Sequence, residues 1–230
     1  MAIGSELEDY VSKTLRSQWA TRDGRVVPNT GDVTLDNSAV EIDATVLYAD
    51  LARSTQMVAQ RSWYFAAEVY KSFLYTTSRL IRHHGGTITA FDGDRVMGVF
   101  LGDSKNTSAA KAALRINWAA SKLVQPLIEQ HYPQTTFRLK HRVGVDTSTI
   151  HVVRAGVRGN NDLVWLSNAA NNAAKMATLP PTYPSYISAA VYGQLNAEVK
   201  YNARGESRWR DLGTGALGYR VYGSTWWWSP

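Results

Sequence analysis

The chain has 230 residues, enough for one sizeable domain with at most a small extension. It contains no cysteine, which excludes disulfides, thiolate metal sites and cysteine nucleophiles, and no run approaches the ~20 apolar residues of a membrane span. A formal net charge of +6 and a pI near 9.5 favour polyanionic ligands such as nucleotide triphosphates, but the basic residues are too scattered for a nucleic-acid stripe. No charged-then-apolar leader follows Met1, so the expected location is the cytoplasm, with no membrane and no nucleic acid among the partners.

In chain order, Leu7, Val11 and Leu15 are spaced for one face of a short helix within residues 1–20. Residues 21–40, rich in Gly, Asn, Asp and Thr, read as a loop or linker. The boundary is therefore expected near residue 40, with an N-terminal extension over 1–40 and the main domain over 41–230. The apolar run from about Ile42 to Ala49 predicts a buried strand ending at Asp50. Ser54-Thr55 starts a helix carried by Met57, Trp63, Phe65, Val69, Phe73, Leu74, Leu80 and Ile81, with a break near Arg61 and a stop at Gly85-Gly86. Arg79, Arg82, His83 and His84 gather at its C-terminal end, where positive charge complements the helix dipole.

Thr87–Phe91 and Arg95–Leu101 are strand-like runs joined by the turn residues Asp92-Gly93, a predicted hairpin. Ser104 opens a helix running to about His131, with a kink or break at Pro126. Phe137–Val145 alternates as a strand, Asp146–Thr149 reads as a turn, and Ile150–Arg154 as a strand pairing back. Gly156–Asp162 reads as a basic loop. Ser167-Asn168 starts a helix through Met176, stopped by Pro180-Pro181. A strand at Tyr186–Ser188, a helix over Ala189–Asn196 and strands near Trp209 and Tyr219–Tyr222 complete the order. Trp226–Trp228 is expected to pack, because three exposed indoles invite aggregation. The order strand, helix, hairpin, helix, hairpin, helix, strand predicts an α+β sandwich, a mixed sheet with helices on one side.

Two carboxylates carry the chemistry. If the strands of Asp50 and Asp94 are neighbours, both reach one end of the sheet, where their mutual repulsion calls for a cation. Hard oxygen ligands that leave positions open for phosphates suit magnesium or manganese. Taken singly, Asp50 also reads as a helix cap and Asp94 as a turn residue. A third stretch, Asn168–Met176, sets Asn171 and Lys175 on one helical face, a donor and a cation suited to phosphate or, more plainly, a solvated amphipathic surface.

Together these stretches resemble the class III nucleotide cyclases. The resemblance rests on Asp50-Leu-Ala-Arg-Ser-Thr55, on Gly93-Asp-Arg-Val-Met97, on Val143-Gly-Val-Asp-Thr147, and on Asn171 followed four residues later by Lys175, where Arg is usual. It spans about Ile42 to Tyr222. It implies an α+β fold, a class III cyclase-like mixed sheet with a ferredoxin-like core and helices packed on it, with residues 41–230 as the catalytic domain. It implies a homodimer with two shared sites: one subunit holds two divalent ions (Mg or Mn) through Asp50, Leu51 and Asp94, and the other supplies Asn171 and Lys175 as catalytic residues. Leu51, Ala52, Arg53, Ser54 and Thr55 would hold the triphosphate, Asn171 would orient the ribose, and Lys175 would offset charge on the reacting phosphorus.

The two positions where purine cyclases of this family read the base are Ala90 and Val164 here, neither able to make a specifying hydrogen bond. This departure resembles the Pycsar antiphage cyclases that make cyclic pyrimidine nucleotides. Tyr48 and Arg95 then become candidate base contacts, with Val164 and Trp165 lining the pocket and Phe91 or Trp165 filling the space a smaller base leaves. The implied activity is conversion of UTP to 3′,5′-cyclic UMP and pyrophosphate in bacterial antiphage signalling. The alternatives are a cytidylate or adenylate cyclase of the same family, or a degenerate domain that only binds nucleotide.

Overall fold

A computed structural model describes residues 2–229. The chain divides into two compact units, one made of Met1–Asp43 with Thr149–Ser167 and the other of Ala44–Ser148 with Asn168–Pro230. Two long strands, β2 (Ser38–Leu51) and β5 (His141–Val157), contribute residues to both.

In the smaller unit, α1 (Ile3–Arg16) buries none of its residues, and its apolar positions Leu7, Val11 and Leu15 are exposed. Asn37 ties the end of this helix down by donating to the carbonyls of Thr14 and Ser17 at 2.8 and 2.9 Å. Strand β1 (Ala20–Asp23), expected as loop, runs parallel to Ser38–Glu41 of β2. The outer half of β5 forms a hairpin with β6 (Asn160–Leu166), in register from His151↔Leu166 to Val157↔Asn160. Most of the expected 156–162 loop is therefore strand.

In the larger unit the strand order is β3-β4-β2-β5-β7-β9-β8. The hairpin β3 (Thr87–Asp92) and β4 (Arg95–Phe100) forms at the predicted turn, and β4 pairs antiparallel with β2. Helices α2 (Ser54–Gln60) and α3 (Trp63–His83) break at Arg61-Ser62, where the Ser62 hydroxyl caps α3. Helix α4 (Lys105–Trp118) passes through a π-helical turn, Ala119–Val124, into α5 (Gln125–His131). The π turn precedes Pro126, which has no N–H to continue the ladder. After α6 (Asn168–Met176) come β7 (Ser185–Ser188), α7 (Ala189–Gly193), α8 (Ala197–Lys200), β8 (Arg210–Asp211) and β9 (Val221–Ser224). No helix among the described residues is long and apolar enough to cross a membrane.

Side chains alternate across the sheet. Leu47, Ala49, Leu51, Val143, Val145 and Ile187 share one core with Phe65, Val69 and Phe73 of α3 and Ala112, Leu114 and Ile116 of α4. Helix α6 packs on the opposite face, correcting the expectation that helices cover one side. Met176 of α6 clusters there with Tyr186 and Val221. Gly144 permits the approach, since a Cβ on it would lie 2.1 Å from the Ala173 carbonyl and 2.8 Å from the Met176 Cβ.

Strand β5 also corrects the expected turn at Asp146–Thr149, through which it runs unbroken. Three of the polar side chains that resemble a turn are engaged elsewhere. Asp146 accepts from Asn172 Nδ2 at 2.8 Å, Thr147 donates to the Ala44 carbonyl at 3.1 Å, and the Ser148 hydroxyl accepts from Ala169 N at 3.2 Å. With tertiary partners for these three, little remains to compete with the ladder.

Candidate active site

The register of β2 with β4 sets Asp50 opposite Arg95 and brings Asp94, one residue earlier, to the same end of the sheet. The neighbouring strands required by the two-carboxylate reading are therefore present. Asp50 is 6% exposed, and both of its oxygens are engaged. Oδ1 accepts from Arg95 Nε at 3.4 Å and Oδ2 from Arg142 Nη2 at 2.7 Å. Burial, and then the charge of Asp94, hold the Asp50 carboxyl above its ordinary range, against the pull of the two arginines. Asp94 Oδ2 is buried with no hydrogen-bond partner among the described residues. A buried carboxylate oxygen without a donor, facing a second carboxylate, is unfavourable in the apo protein and is relieved by a cation.

No cluster of three or more His, Cys, Asp or Glu side chains suited to a metal occurs among the described residues. An ion at Asp50 and Asp94 would therefore complete its shell from backbone, water or substrate oxygens, the habit of magnesium. The donor set fits such an ion.

Tyr48 lies two residues before Asp50, on the same sheet face and opposite Met97. The Arg95 guanidinium sits 5.9 Å from the Tyr48 ring centre, and burial raises the tyrosine's pKa. Arg95 thus bridges the candidate base-reading tyrosine and the candidate metal aspartate.

Arg142 was missed from sequence. It binds Asp50 and also donates from Nη1 to the carbonyls of Thr178 and Leu179, just beyond α6, at 3.1 and 3.2 Å. The signal was its parity in the alternating run, since Arg142 and Gly144 share the face opposite Val143 and Val145.

The turn after β2 is tight. Arg53 adopts a left-handed conformation at φ 64°, and the Ala52 amide, expected to face phosphate, donates to the Lys140 carbonyl at 2.8 Å. The Leu51 side chain belongs to the core, which leaves its backbone for any ligand role. Ser54 is half-buried and Thr55 exposed at the start of α2. Arg53, Arg61, Arg138 and Lys140 line an adjoining cavity of about 340 Å³. Four cations and little negative charge there suit a polyanionic tail.

On α6, Asn171 and Lys175 are both exposed on one face, and neither bonds to Asp50 or Asp94 among the described residues. The helix is held by its other residues: Asn172 bonds Asp146, and Tyr219 donates to the Asn172 carbonyl at 3.3 Å. Val164 and Trp165 lie on β6 in the smaller unit, opposite Val153 and Val152, with Val164 39% exposed. Ala90, past a bulge in β3, pairs with Met97 and is half-buried. The structure therefore gathers Tyr48, Asp50, Asp94 and Arg95, and adds Arg142. Asn171 and Lys175 stand apart as an exposed pair within the same unit.

No family profile matches the chain. Whole-length similarity does appear among curated proteins. A uridylate cyclase of Burkholderia cepacia is 46% identical over 100% of both chains, and one of Xanthomonas perforans is 43% identical over 99% of both. Among solved structures, the adenylyl cyclase CyaB from P. aeruginosa aligns at TM-score 0.63 and 21% identity, over 81% of this chain and 95% of that one. The guanylyl cyclase Cya2 aligns at TM-score 0.67 and 16% identity, over 83% and 95%. The structural matches carry the fold, the mixed sheet of the nucleotide cyclases. The full-length identities carry the family: this chain belongs to the uridylate cyclases, and is a nucleotidyl cyclase.

Proposed function

We propose that the chain converts UTP to 3′,5′-cyclic UMP and pyrophosphate at the Asp50–Asp94 end of its sheet. The observation that carries the site is the buried, unpartnered Asp94 oxygen beside a second buried carboxylate. The relatives' printed activity supports the substrate. In the reaction the ribose O3′ bonds to the α-phosphorus, the bond from that phosphorus to the bridging β-phosphate oxygen breaks, pyrophosphate leaves with the electron pair, and the hydroxyl proton passes to water. Two divalent ions held by Asp50, Leu51 and Asp94 would acidify the attacking hydroxyl and offset phosphate charge.

The remaining work belongs to side chains. Arg142 and Arg95 fix the Asp50 carboxylate in orientation and favour its ionised form, opposing burial and Asp94. Arg53, Lys140 and the residue 51–55 turn receive the triphosphate tail. Tyr48 and the Nη groups of Arg95 face the base, where a carbonyl oxygen of uracil accepts from the guanidinium. Ala90 and Val164 offer a purine no polar handle. Asn171 and Lys175 come from the second subunit of a homodimer. Their exposure, with no side-chain partner among the described residues, supports that placement, Asn171 orienting the ribose and Lys175 offsetting charge as the phosphorus becomes pentavalent. The product would act as a signal in cytoplasmic antiphage defence, as the resemblance implies.

The test is incubation of the wild type and of Asp94→Asn with each of the four triphosphates and manganese, followed by chromatography. Cyclic UMP from the wild type, and none from a folded Asp94→Asn protein, is the expected result. No cyclic product from any triphosphate would leave a nucleotide-binding domain only.

A further inference from the structure

The basic cluster at the end of α3 is not used by the reaction, yet two of its members, His83 and His84, line a cavity of their own. That cavity, about 350 Å³, lies between the end of α3, the first three turns of α4, Asn196 and the C-terminal Trp228. Its lining includes His83, His84, Ser108, Lys111 and Arg115. We propose that it is a second binding site, for a compact phosphate-bearing anion, separate from the Asp50–Asp94 centre.

The charge balance is the first argument. Lys111 has a carboxylate partner, Glu198, and lies 5.7 Å from the Trp228 ring centre. Arg115, one helical turn along α4, is half-buried, and its side chain has no hydrogen-bond or ion-pair partner among the described residues. A guanidinium with no carboxylate partner is open to an anion, and its planar fork matches phosphate oxygens. The second argument is an orphaned donor or acceptor: His84 Nε2 is buried with no hydrogen-bond partner among the described residues. Burial, followed by the charges of Arg115, His83 and Lys111, lowers the His84 pKa to about 4. Those groups are close enough to repel a proton on His84, which an anion among them would reverse. Dipole complementation, the reading from sequence, explains none of the side-chain convergence across helices.

The donors present also narrow the ligand class. Guanidinium, ammonium, imidazole and hydroxyl groups favour an oxyanion. A nucleobase needs a stacking face, and the Trp228 ring already carries two cations, Lys111 and Arg208, the latter 5.2 Å from its centre. Hydrogen bonds to the backbone keep that tryptophan in place: Trp228 N donates to the Leu114 carbonyl at 3.2 Å, and the Asn117 side-chain Nδ2 donates to the carbonyls of Thr225 and Trp226 at 3.2 and 2.8 Å. The cavity's place in the fold separates it from the reaction. It lies where α3 leads into β3 and β4 leads into α4, whereas Asp94 sits at the turn joining those strands. Six residues of strand separate the two ends, roughly 20 Å. Inorganic phosphate and pyrophosphate, the latter the product of the proposed reaction, share the required chemistry.

The test titrates full-length Asp94→Asn protein, in which the reaction centre is disabled, with inorganic phosphate, pyrophosphate and UTP at constant ionic strength. Histidine ring resonances and calorimetry provide the readouts. Saturable binding of phosphate or pyrophosphate is expected, with the His84 pKa raised by about one unit or more, and the tighter of the two identifies the source. Arg115→Ala should weaken binding at least about tenfold, with Arg115→Lys retaining part of it, consistent with loss of one charge-assisted hydrogen bond in a half-buried site. A response no greater than that to chloride, binding unchanged in folded Arg115→Ala, or binding of UTP alone would overturn the proposal.

Discussion

Asp50 is pulled in two directions. Its two arginines favour the carboxylate, while burial and Asp94 favour the acid, and the second pair prevails in the apo protein. Its folded pKa is therefore raised, so the fold takes up a proton more readily than the unfolded chain, and this group's contribution to stability falls as pH rises above the ordinary carboxylate range. Arg142 holds back that cost. Its side chain is 15% exposed against 9% for Asp50, so removing it strands a buried charge. Arg142→Ala should cost about 3 kcal/mol of stability at neutral pH, read from urea unfolding. In an Asp50→Asn background most of that loss should vanish. An equal loss in both backgrounds would show that Arg142 acts through its bonds to the Thr178 and Leu179 carbonyls instead. Asp50 and Asp94 were legible because each ends or begins an apolar run. Arg142 was not, because its importance depends on which residue sits on the neighbouring strand.

At the scale of elements, the hairpin about Asp92-Gly93 was legible from local turn chemistry, and the α2–α3 break from the loss of apolar rhythm near Arg61. Strand β5 was not, since Asp146–Thr149 has the composition of a turn and becomes strand only through Ala44, Ala169 and Asn172. The same strand carries a pH liability. His141, at its start, is 5% exposed, packs beside Phe73, and burial lowers its pKa from 6.5 to about 4. Its lowered value means the unfolded chain binds the proton first. The stability it preserves is complete above about pH 6.5 and is lost as pH falls toward 4. A shift of that size corresponds to roughly 3 kcal/mol. His141→Phe should flatten the stability profile between those pH values, measured by denaturant unfolding at several pH values. An unchanged slope would assign the acid sensitivity elsewhere.

At the scale of the whole molecule, the smaller unit takes residues 149–167 from the middle of the chain, a long-range pairing invisible to a reading in chain order. The expected linker over 21–40 contributes a strand to it. The proposed sharing of the reaction between subunits is tested by mixing two inactive proteins. Asp50→Ala and Asn171→Ala should regain activity together, because a heterodimer has one site with all its parts and one with both defects. Failure to complement, with subunit exchange shown independently, would place the whole site within one chain. The central claim is the choice of base. It rests on the apolar side chains of Ala90 and Val164, on Arg95 beside Tyr48, and on the full-length relatives. The most direct measurement is a competition in which wild-type protein meets equal concentrations of UTP, CTP, ATP and GTP with manganese, and the cyclic products are quantified. Cyclic UMP is expected to predominate, with cyclic CMP second. A predominance of cyclic AMP or cyclic GMP would contradict it.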